Sequence, residues 1–227
     1  MSRALLMNPM ERDIELFREF DLSQMTKPIF FFYTWNAPTV TIGKIQRNRE
    51  QLIKEAESLG VPCYLRPTGG RAVLHGGDIC YTFIAAQSDP DYGGTLSESF
   101  RKVNQMVIGL FQSVIASELL SLTPNTKYPT ANTDYNCFST HVSNEGLYQG
   151  HKIIGAAQAM GSRSFIQQGS IQLNKVDIEL ESLQSHKTLS ELTGREYDLA
   201  EISLSLNKQS HMQDLILPVQ SVHAVTI

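Results

Sequence analysis

Ile14, Phe17 and Phe20 recur at helical spacing through an otherwise charged stretch, which predicts a short amphipathic helix opened by Asn8 as N-cap and Pro9 in the first turn. Residues 29–33 and 39–42 are apolar, β-prone runs flanking a turn at Asn36-Ala37-Pro38, and read as strands. Asn48 with Gln51 is a capping-box pattern ahead of the stripe Leu52, Ala56 and Leu59, which Gly60 ends. Thr95 with Glu98 opens the longest helical pattern, carried by Phe100, Val103, Val107, Leu110, Phe111 and Val114. Asp198 with Glu201 opens a last helix over Leu199, Ile202 and Leu206. Between these, Val61–Leu65 and Ile79–Ala86 are strand-like, 145–159 is hairpin-like, and further strands fall near 164–168 and 170–173. The polar segment Thr123–Asn136 carries two prolines and predicts a long loop, a feature that is often functional. Leu215–Ile227 is apolar and β-prone, suited to an edge strand or a docking tail. Strands and helices alternate irregularly, without regular βαβ units, so the fold class is α+β, a mixed or antiparallel sheet packed with helices. No repeat or domain boundary interrupts the chain, and a single domain over 1–227 is expected.

The densest chemistry lies in Arg66-Pro-Thr-Gly-Gly-Arg-Ala-Val-Leu-His75. Gly69-Gly70 between strand-like runs predicts a hairpin tip, because glycine adopts positive φ without a Cβ penalty. Such a tip brings backbone N–H groups close to an anion, and Arg66 and Arg71 add charge for a phosphate or carboxylate. His75 is either a ligand-orienting group or a hydrogen-bonded structural histidine. A second island, Gly150-His-Lys152-Ile-Ile-Gly155-Ala-Ala157-Gln-Ala159, is followed by Gln168-Gly-Ser-Ile-Gln-Leu173. Lys152 follows a turn and precedes a strand that would hold it rigidly, although a lysine in a polar turn is ordinarily a solvated surface residue. Gly155 and Ala157 are small enough to leave room for a ligand.

Composition narrows the remaining choices. At 227 residues, with 41% hydrophobic residues and a net charge of −4, the chain is long enough to bury a core and lacks the basic balance of a nucleic-acid binder. Cys63, Cys80 and Cys137 are odd in number and lack CxxC or CxxH spacing, which argues against a disulfide framework and a zinc site. No apolar run approaches the ~20 residues that span a bilayer, and the N-terminal apolar stretch is too short for a signal peptide, so a cytoplasmic address is expected and a membrane partner is not.

The two central islands, together with Phe32-Tyr-Thr-Trp35-Asn-Ala-Pro-Thr-Val-Thr-Ile-Gly43-Lys-Ile-Gln46, resemble in order and spacing the lipoate–protein ligase A family. That family carries R-P-T-G-G-R/G-A-V-x-H, then G-x-K-I-x-G-x-A, then a short H-G-S/T-like turn, and the resemblance spans roughly residues 29–175. It implies the biotin/lipoate protein ligase catalytic fold and attachment of lipoyl or octanoyl groups to a lysine of a lipoyl carrier domain, in 2-oxoacid dehydrogenase or glycine cleavage proteins. The leading expectation is an ATP-dependent ligase acting through a lipoyl-adenylate, with Mg2+ as counter-ion. In it Lys152 contacts the acyl and phosphate oxygens, while Arg66, Gly69, Gly70, Arg71, His75, Gly155 and Ala157 bind the substrate or adenylate. No dedicated metal site is expected among the residues. Departures from the pattern are Leu65 where many members have arginine, Gly76 where Asp is frequent, and Gln168 in place of the late histidine.

The alternative is a branch of the same family that uses no ATP: an octanoyltransferase taking octanoyl from acyl carrier protein onto a cysteine. Its Cys-Phe dipeptide lies fifteen residues before the G-x-K lysine, with a Glu eight residues after the cysteine, and Cys137-Phe138, Glu145 and Lys152 stand at those intervals. Ser139-Thr140 departs from that branch, and a free cysteine is most often a small buried hydrophobe. His141 or Lys152 would be the group to activate the thiol. Asp78 and Asp134 are the weak candidates for a general base, and Trp35 and Phe83 read as core. A third reading is a non-catalytic module that binds lipoate or lipoyl domains. A biotin ligase is disfavoured by the absence of a G-R-G-R loop. The length leaves no room for a full C-terminal accessory domain, so a separate accessory polypeptide is a further possible partner.

Overall fold

The computed structural model describes residues 8–47, 49–115, 120–122, 137–139, 144–183 and 186–211. Helices α1 (Pro9–Leu22), α2 (Glu50–Ser58), α3 (Leu96–Ile115), α4 (Leu189–Thr193) and α5 (Leu199–His211) surround nine strands among the described residues. These are β1 (Ile29–Tyr33), β2 (Thr39–Gly43), β3 (Cys63–Arg66), β4 (Val73–His75), β5 (Asp78–Ala86), β6 (Leu120–Leu122), β7 (Gly146–Tyr148), β8 (His151–Met160) and β9 (Ser164–Gln172). The expected α+β class is observed. Six strands form an antiparallel sheet in the order β1-β5-β9-β8-β7-β6, and three form a small mixed sheet, β3-β2-β4.

Local signals set several of these elements. Asn8 accepts from the backbone N–H groups of Met10 and Glu11 while Glu11 reaches back to the Asn8 N–H, closing a capping box with Pro9 in the first turn. Thr95 and Glu98 close the same reciprocal pair ahead of α3, and Asp198 caps α5 through the Glu201 N–H. Thr188 with Glu191 opens the short α4, a capping box the periodicity alone did not expose. Asn48 lies outside the described residues; α2 begins at Glu50 with Arg49 at the N-cap, making no side-chain cap. Thr123–Asn136, with Asp134, and Thr140, His141 and Leu215–Ile227 also lie outside the described residues.

Burial follows the strand period on both faces of the large sheet. Phe30 and Phe32 of β1 join Tyr81, Phe83, Ile153 and Ile171 under Val103, Val107 and Phe111 of α3 and Leu206 of α5. The alternate residues Ile29 and Phe31 turn to the other face, against Ile84, Ile166 and Phe20 of α1. The small sheet packs Val40 and Ile42 on Leu52 and Ala56 of α2. Phe83 is therefore core, as its sequence context suggested.

Two expectations are corrected. Gly69-Gly70 is not a hairpin tip, because β3 and β4 never pair with each other. β2 lies between them, parallel to β3 and antiparallel to β4, so the loop crosses over the end of β2. A Cβ on Gly43 would stand 2.0 Å from the Gly70 carbonyl oxygen, so glycine at the end of β2 is what lets the loop settle there. The late Gln168-Gly169-Ser170 is not a turn but the middle of the continuous strand β9. A Cβ at Gly169 would lie 2.2 Å from the Tyr81 ring, so this glycine accommodates a cross-strand aromatic rather than a change of direction.

Candidate active site

The two islands meet where the small sheet abuts the large one. A pocket there is lined by Tyr33, Thr41, Arg66, His75, Cys80, Cys137, Phe138, Gly155, Ala157 and Gln168 among others, and encloses with its mouth about 400 Å³ of empty space. Its lining is largely apolar side chains and small residues, suited to a short acyl chain.

Cys137 starts a single 3-10 turn, Cys137–Ser139, and its backbone N–H donates to the Ala72 carbonyl at 2.9 Å. The thiol is thereby fixed beside the glycine loop: a Cβ on Gly70 would lie 3.8 Å from Sγ. Lys152, on β8, is almost fully buried. Its Nζ donates to the Cys137 carbonyl at 2.8 Å, stands 4.0 Å from Sγ, and pairs with the buried Glu145 carboxylate at 2.6 Å. The Phe138 ring lies 5.2 Å from Nζ. The local chain explains this reach. A register shift in the β7–β8 ladder at Gly146/Leu147 is accompanied by inward burial of both Lys152 and Ile153. Gly155 then leaves open the space the lysine stem crosses, since a Cβ there would meet Lys152 Cε at 3.0 Å and Phe138 Cζ at 3.1 Å. The G-x-K-I-x-G pattern is thus a groove for the lysine's own side chain as much as for a ligand.

Arg66 is placed differently from its sequence reading. Its Nε and Nη2 donate to the Gly69 carbonyl, Nη1 to the Thr41 carbonyl and hydroxyl, and Nη2 also to the Arg71 carbonyl. The guanidinium's five N–H groups are engaged within the protein, so Arg66 braces the glycine loop and leaves no free fork for a phosphate. Burial lowers its basicity without threatening its charge. Arg71 is half-buried at the loop's end, and Gly69 stands beside the exposed Ile45.

His75 closes one side of the pocket. It is bonded to the Thr41 hydroxyl at 2.7 Å and to Asp78 at 2.7 Å, and the Trp35 ring stacks on it at 5.3 Å. Trp35 is core in burial yet shapes the site. Burial pushes the Asp78 carboxyl up, but the His75 charge and hydrogen bonds from His75, Ser170 and the Gly76 N–H outweigh it and hold the group below its ordinary value. Asp78 is therefore a committed partner of His75 rather than a general base. Cys80, two residues along the same strand face, is pushed well up by burial and by the neighbouring Asp78. His75 Nδ1, Asp78 Oδ2 and Cys80 Sγ converge within 4.8 Å, a cluster the spacing rules for zinc motifs do not detect. Their mutual contacts of 2.7, 3.3 and 3.2 Å make it a hydrogen-bonded set as it stands.

Gln168 stands where the family pattern has histidine. Its side-chain carbonyl accepts from the Thr68 hydroxyl at 3.0 Å and its amide donates to the buried Asp13 at 2.8 Å, tying the glycine loop to α1. Sequence reasoning also missed His186, which stacks on Phe138 at 4.8 Å and contacts Gln172 at 3.1 Å. Burial depresses it to about 4, a drop that the nearby Lys152 charge deepens while Glu191 and Asp78 oppose it. The unfolded imidazole binds its proton near 6.5, the folded one near 4, so the unfolded state holds more protons between those values. Stability should fall as pH drops through that window, by up to about 3 kcal/mol from this group. Urea denaturation across the window checks this: His186→Gln should flatten that part of the profile, and an unchanged slope excludes His186 as its source.

Comparison with known proteins follows the same lines. Residues 7–196 match the family described as the lipoyl protein ligase A/B catalytic domain. Octanoyltransferase LipM of Carboxydothermus hydrogenoformans is 30% identical over 195 residues, covering 77% of this chain and 70% of its own length. The Staphylococcus aureus protein of the same name is 31% identical over 160 residues, or 67% of this chain, and the match spans 56% of that relative's length. Among solved structures, a putative lipoate protein ligase from T. acidophilum with bound lipoic acid superposes with a TM-score of 0.63 at 18% identity, over 92% of this chain and 83% of that one. A lipoate-protein ligase A bound with ATP gives 0.62 at 20% identity, over 92% and 81%. At these identities the two structures establish the shared fold. No helix among the described residues is long and apolar enough to cross a membrane.

Proposed function

The chain belongs to the lipoyl protein ligase A/B catalytic domain family, and on that premise we propose that it is an octanoyl-carrier-protein:protein octanoyltransferase with Cys137 as nucleophile. The observation that carries this reading is the placement of Cys137 Sγ in the pocket wall, 4.0 Å from the Lys152 ammonium that Glu145 and the Cys137 carbonyl hold. Positive charge beside a thiol in an accessible pocket is the setting in which cysteine acts as a nucleophile. The Cys137–Glu145–Lys152 spacing, first an interval in the sequence, corresponds to contact in space. The names of the relatives support the same branch. The ATP-dependent ligase, the leading expectation from sequence, is less well supported: Arg66, one of its two phosphate candidates with Arg71, is engaged in the loop. Asp78 is bonded by His75, Ser170 and the Gly76 N–H, so it offers Mg2+ no open carboxylate.

In the proposed reaction, Cys137 sulfur attacks the thioester carbonyl of an octanoyl carrier protein. The new C–S bond forms as the donor C–S bond breaks, and the proton from Cys137 ends on the departing donor thiol, with Lys152 placed to relay it. Lys152 also faces the oxyanion that develops during attack. The amine of a lysine on a lipoyl carrier domain, of a 2-oxoacid dehydrogenase or glycine cleavage protein, then attacks the Cys137 thioester. The lysine ammonium first gives one proton to solvent; as the neutral amine attacks, an amide C–N bond forms, the Cys137 C–S bond breaks, and the amine's second proton restores the Cys137 thiol. Gly70, His75, Gly155 and Ala157 form the acyl slot, Gly69 and Arg71 its rim, within the catalytic domain matched over residues 7–196.

Intact-mass measurement of a lipoyl-domain acceptor tests this directly. An octanoyl increment is expected with octanoyl carrier protein and no ATP. An increment only with lipoate, ATP and magnesium would instead establish the ligase.

A further inference from the structure

His75, Asp78 and Cys80 bring three metal-ligating atoms together in the pocket wall, and the acyl-transfer steps draw on neither Asp78 nor Cys80. β4 ends at His75, and Gly76-Gly77 leads directly into β5, where Asp78 and Cys80 stand two apart on one strand face. The connection is fixed, since a Cβ on Gly77 would stand 2.0 Å from the Asn174 carbonyl oxygen. All three side chains are buried, yet His75, Cys80 and Ser170 line the pocket, which gives an ion a way in. His75 Nδ1 is 2.7 Å from Asp78 Oδ2 and 3.3 Å from Cys80 Sγ, and Sγ is 3.2 Å from Oδ2. Zinc bonds of about 2.0–2.3 Å put tetrahedral ligand pairs roughly 3.3–3.6 Å apart, so the trio needs to open by only roughly 0.3–0.6 Å.

The surroundings are those of a ligand set. Thr41 Oγ lies 2.7 Å from His75 Nε2, so it accepts the ring proton when Nδ1 is given up to an ion. Ser170 and the Gly76 N–H steady the Asp78 carboxylate. A separate observation concerns Trp35, which stacks on His75 and packs with Cys80. Trp35 is 9% exposed, and its indole N–H has no acceptor among the described residues. It faces the Cys80 sulfur. A thiol that donates to Asp78 is a weak acceptor, and the buried N–H goes unmet. A metal-bound thiolate would satisfy it.

We infer that His75 Nδ1, Asp78 Oδ2 and Cys80 Sγ form a three-ligand site for a divalent cation of the zinc class, with water from the pocket in the fourth position. Binding breaks the Cys80 S–H bond and sends its proton to solvent, while the imidazole proton passes to Nε2. Both donors that His75 and Cys80 aim at Oδ2 thereby become ligands, and the oxygen they occupied is freed for the ion. Mg2+ prefers oxygen ligands and displaces neither donor, so the set selects a softer cation.

Co2+ is the probe, added to protein kept reduced by a phosphine. One equivalent should give the intense visible bands of a tetrahedral ion and a near-ultraviolet sulfur-to-cobalt charge-transfer band, both lost on adding Zn2+. Cys63→Ser/Cys137→Ser leaves Cys80 as the only thiol of the chain and should keep the charge-transfer band. Cys80→Ser should lose it. Trp35 is the only tryptophan, so its emission should change on titration of the wild type with Zn2+ and break at one equivalent. Weak, octahedral cobalt absorption in the wild type overturns the inference. So does a charge-transfer band that survives Cys80→Ser, or one that disappears in Cys63→Ser/Cys137→Ser, since either moves the sulfur ligand away from Cys80. Should Cys80→Ser fail to fold, the variant with Cys80 as sole thiol decides alone. The readout is binding rather than turnover, so it stands whichever acyl transfer the pocket performs.

Discussion

Cys137→Ser should abolish the octanoyl thioester on this protein and lower octanoyl transfer to a lipoyl-domain lysine on the order of 10³-fold or more, because a serine hydroxyl lacks the nucleophilicity of sulfur. The substitution removes no packing group, since oxygen replaces sulfur at a half-buried position, so the melting transition should move little. Two cysteines line the pocket, and their surroundings separate them. Cys80 Sγ sits 3.2 Å from the Asp78 carboxylate, and burial together with that negative charge holds it as a thiol. Cys137 has the Lys152 ammonium at 4.0 Å instead. Cys80→Ser should therefore still carry the thioester on Cys137, as peptide mapping of the trapped adduct would show. An adduct on Cys80, or undiminished transfer in Cys137→Ser, would overturn the assignment.

What short-range patterns encode decides how much of the fold and of the site is legible in the sequence. Helix starts were legible because a cap is a local contract: Asn8 with Glu11, Thr95 with Glu98 and Asp198 with Glu201 each satisfy backbone groups within one turn. Strand existence was legible from unbroken apolar, β-prone runs, as in β1 and β5, which the sheet buries on both faces. Pairing was not. Nothing local in residues 61–75 says that β2 inserts between β3 and β4, so a glycine pair between strands read as a hairpin. Gly169 misled in the same way, because the reason for it is the Tyr81 ring on a neighbouring strand. At the site, residue types were legible and their commitments were not. Arg66 reads as a phosphate ligand until the carbonyls of Thr41, Gly69 and Arg71 are seen around it. His186 belongs to no motif, and its stacking on Phe138 sets it beside a ring that lines the pocket. Glu145 was visible as a spacing from Cys137, and the missing information was that a ladder irregularity next to Lys152 would bring the two charges together.

That buried pair gives the second large effect, and it separates folding from catalysis. Lys152→Met leaves the Glu145 carboxylate, 1% exposed, without its cation, a change that typically costs about 3–5 kcal/mol. It should also slow Cys137 acylation by roughly 10²- to 10⁴-fold, since the charge beside Sγ and the proton relay are both removed. Lost activity in that variant alone could reflect a collapsed site. Glu145→Gln added to it removes the stranded charge, so urea denaturation of Lys152→Met/Glu145→Gln should recover much of the lost stability. Acylation should not recover, because no cation has returned to the sulfur. Glu145→Gln by itself should fall between: the amide oxygen still accepts from Nζ, and Lys152 keeps the Cys137 carbonyl at 2.8 Å. Its acylation rate should drop less than that of Lys152→Met. If the double variant regains activity along with stability, Lys152 is a structural cation and the nucleophile works without it. If stability returns and the thioester does not, the ammonium at 4.0 Å from Cys137 Sγ is part of the chemistry rather than of the core.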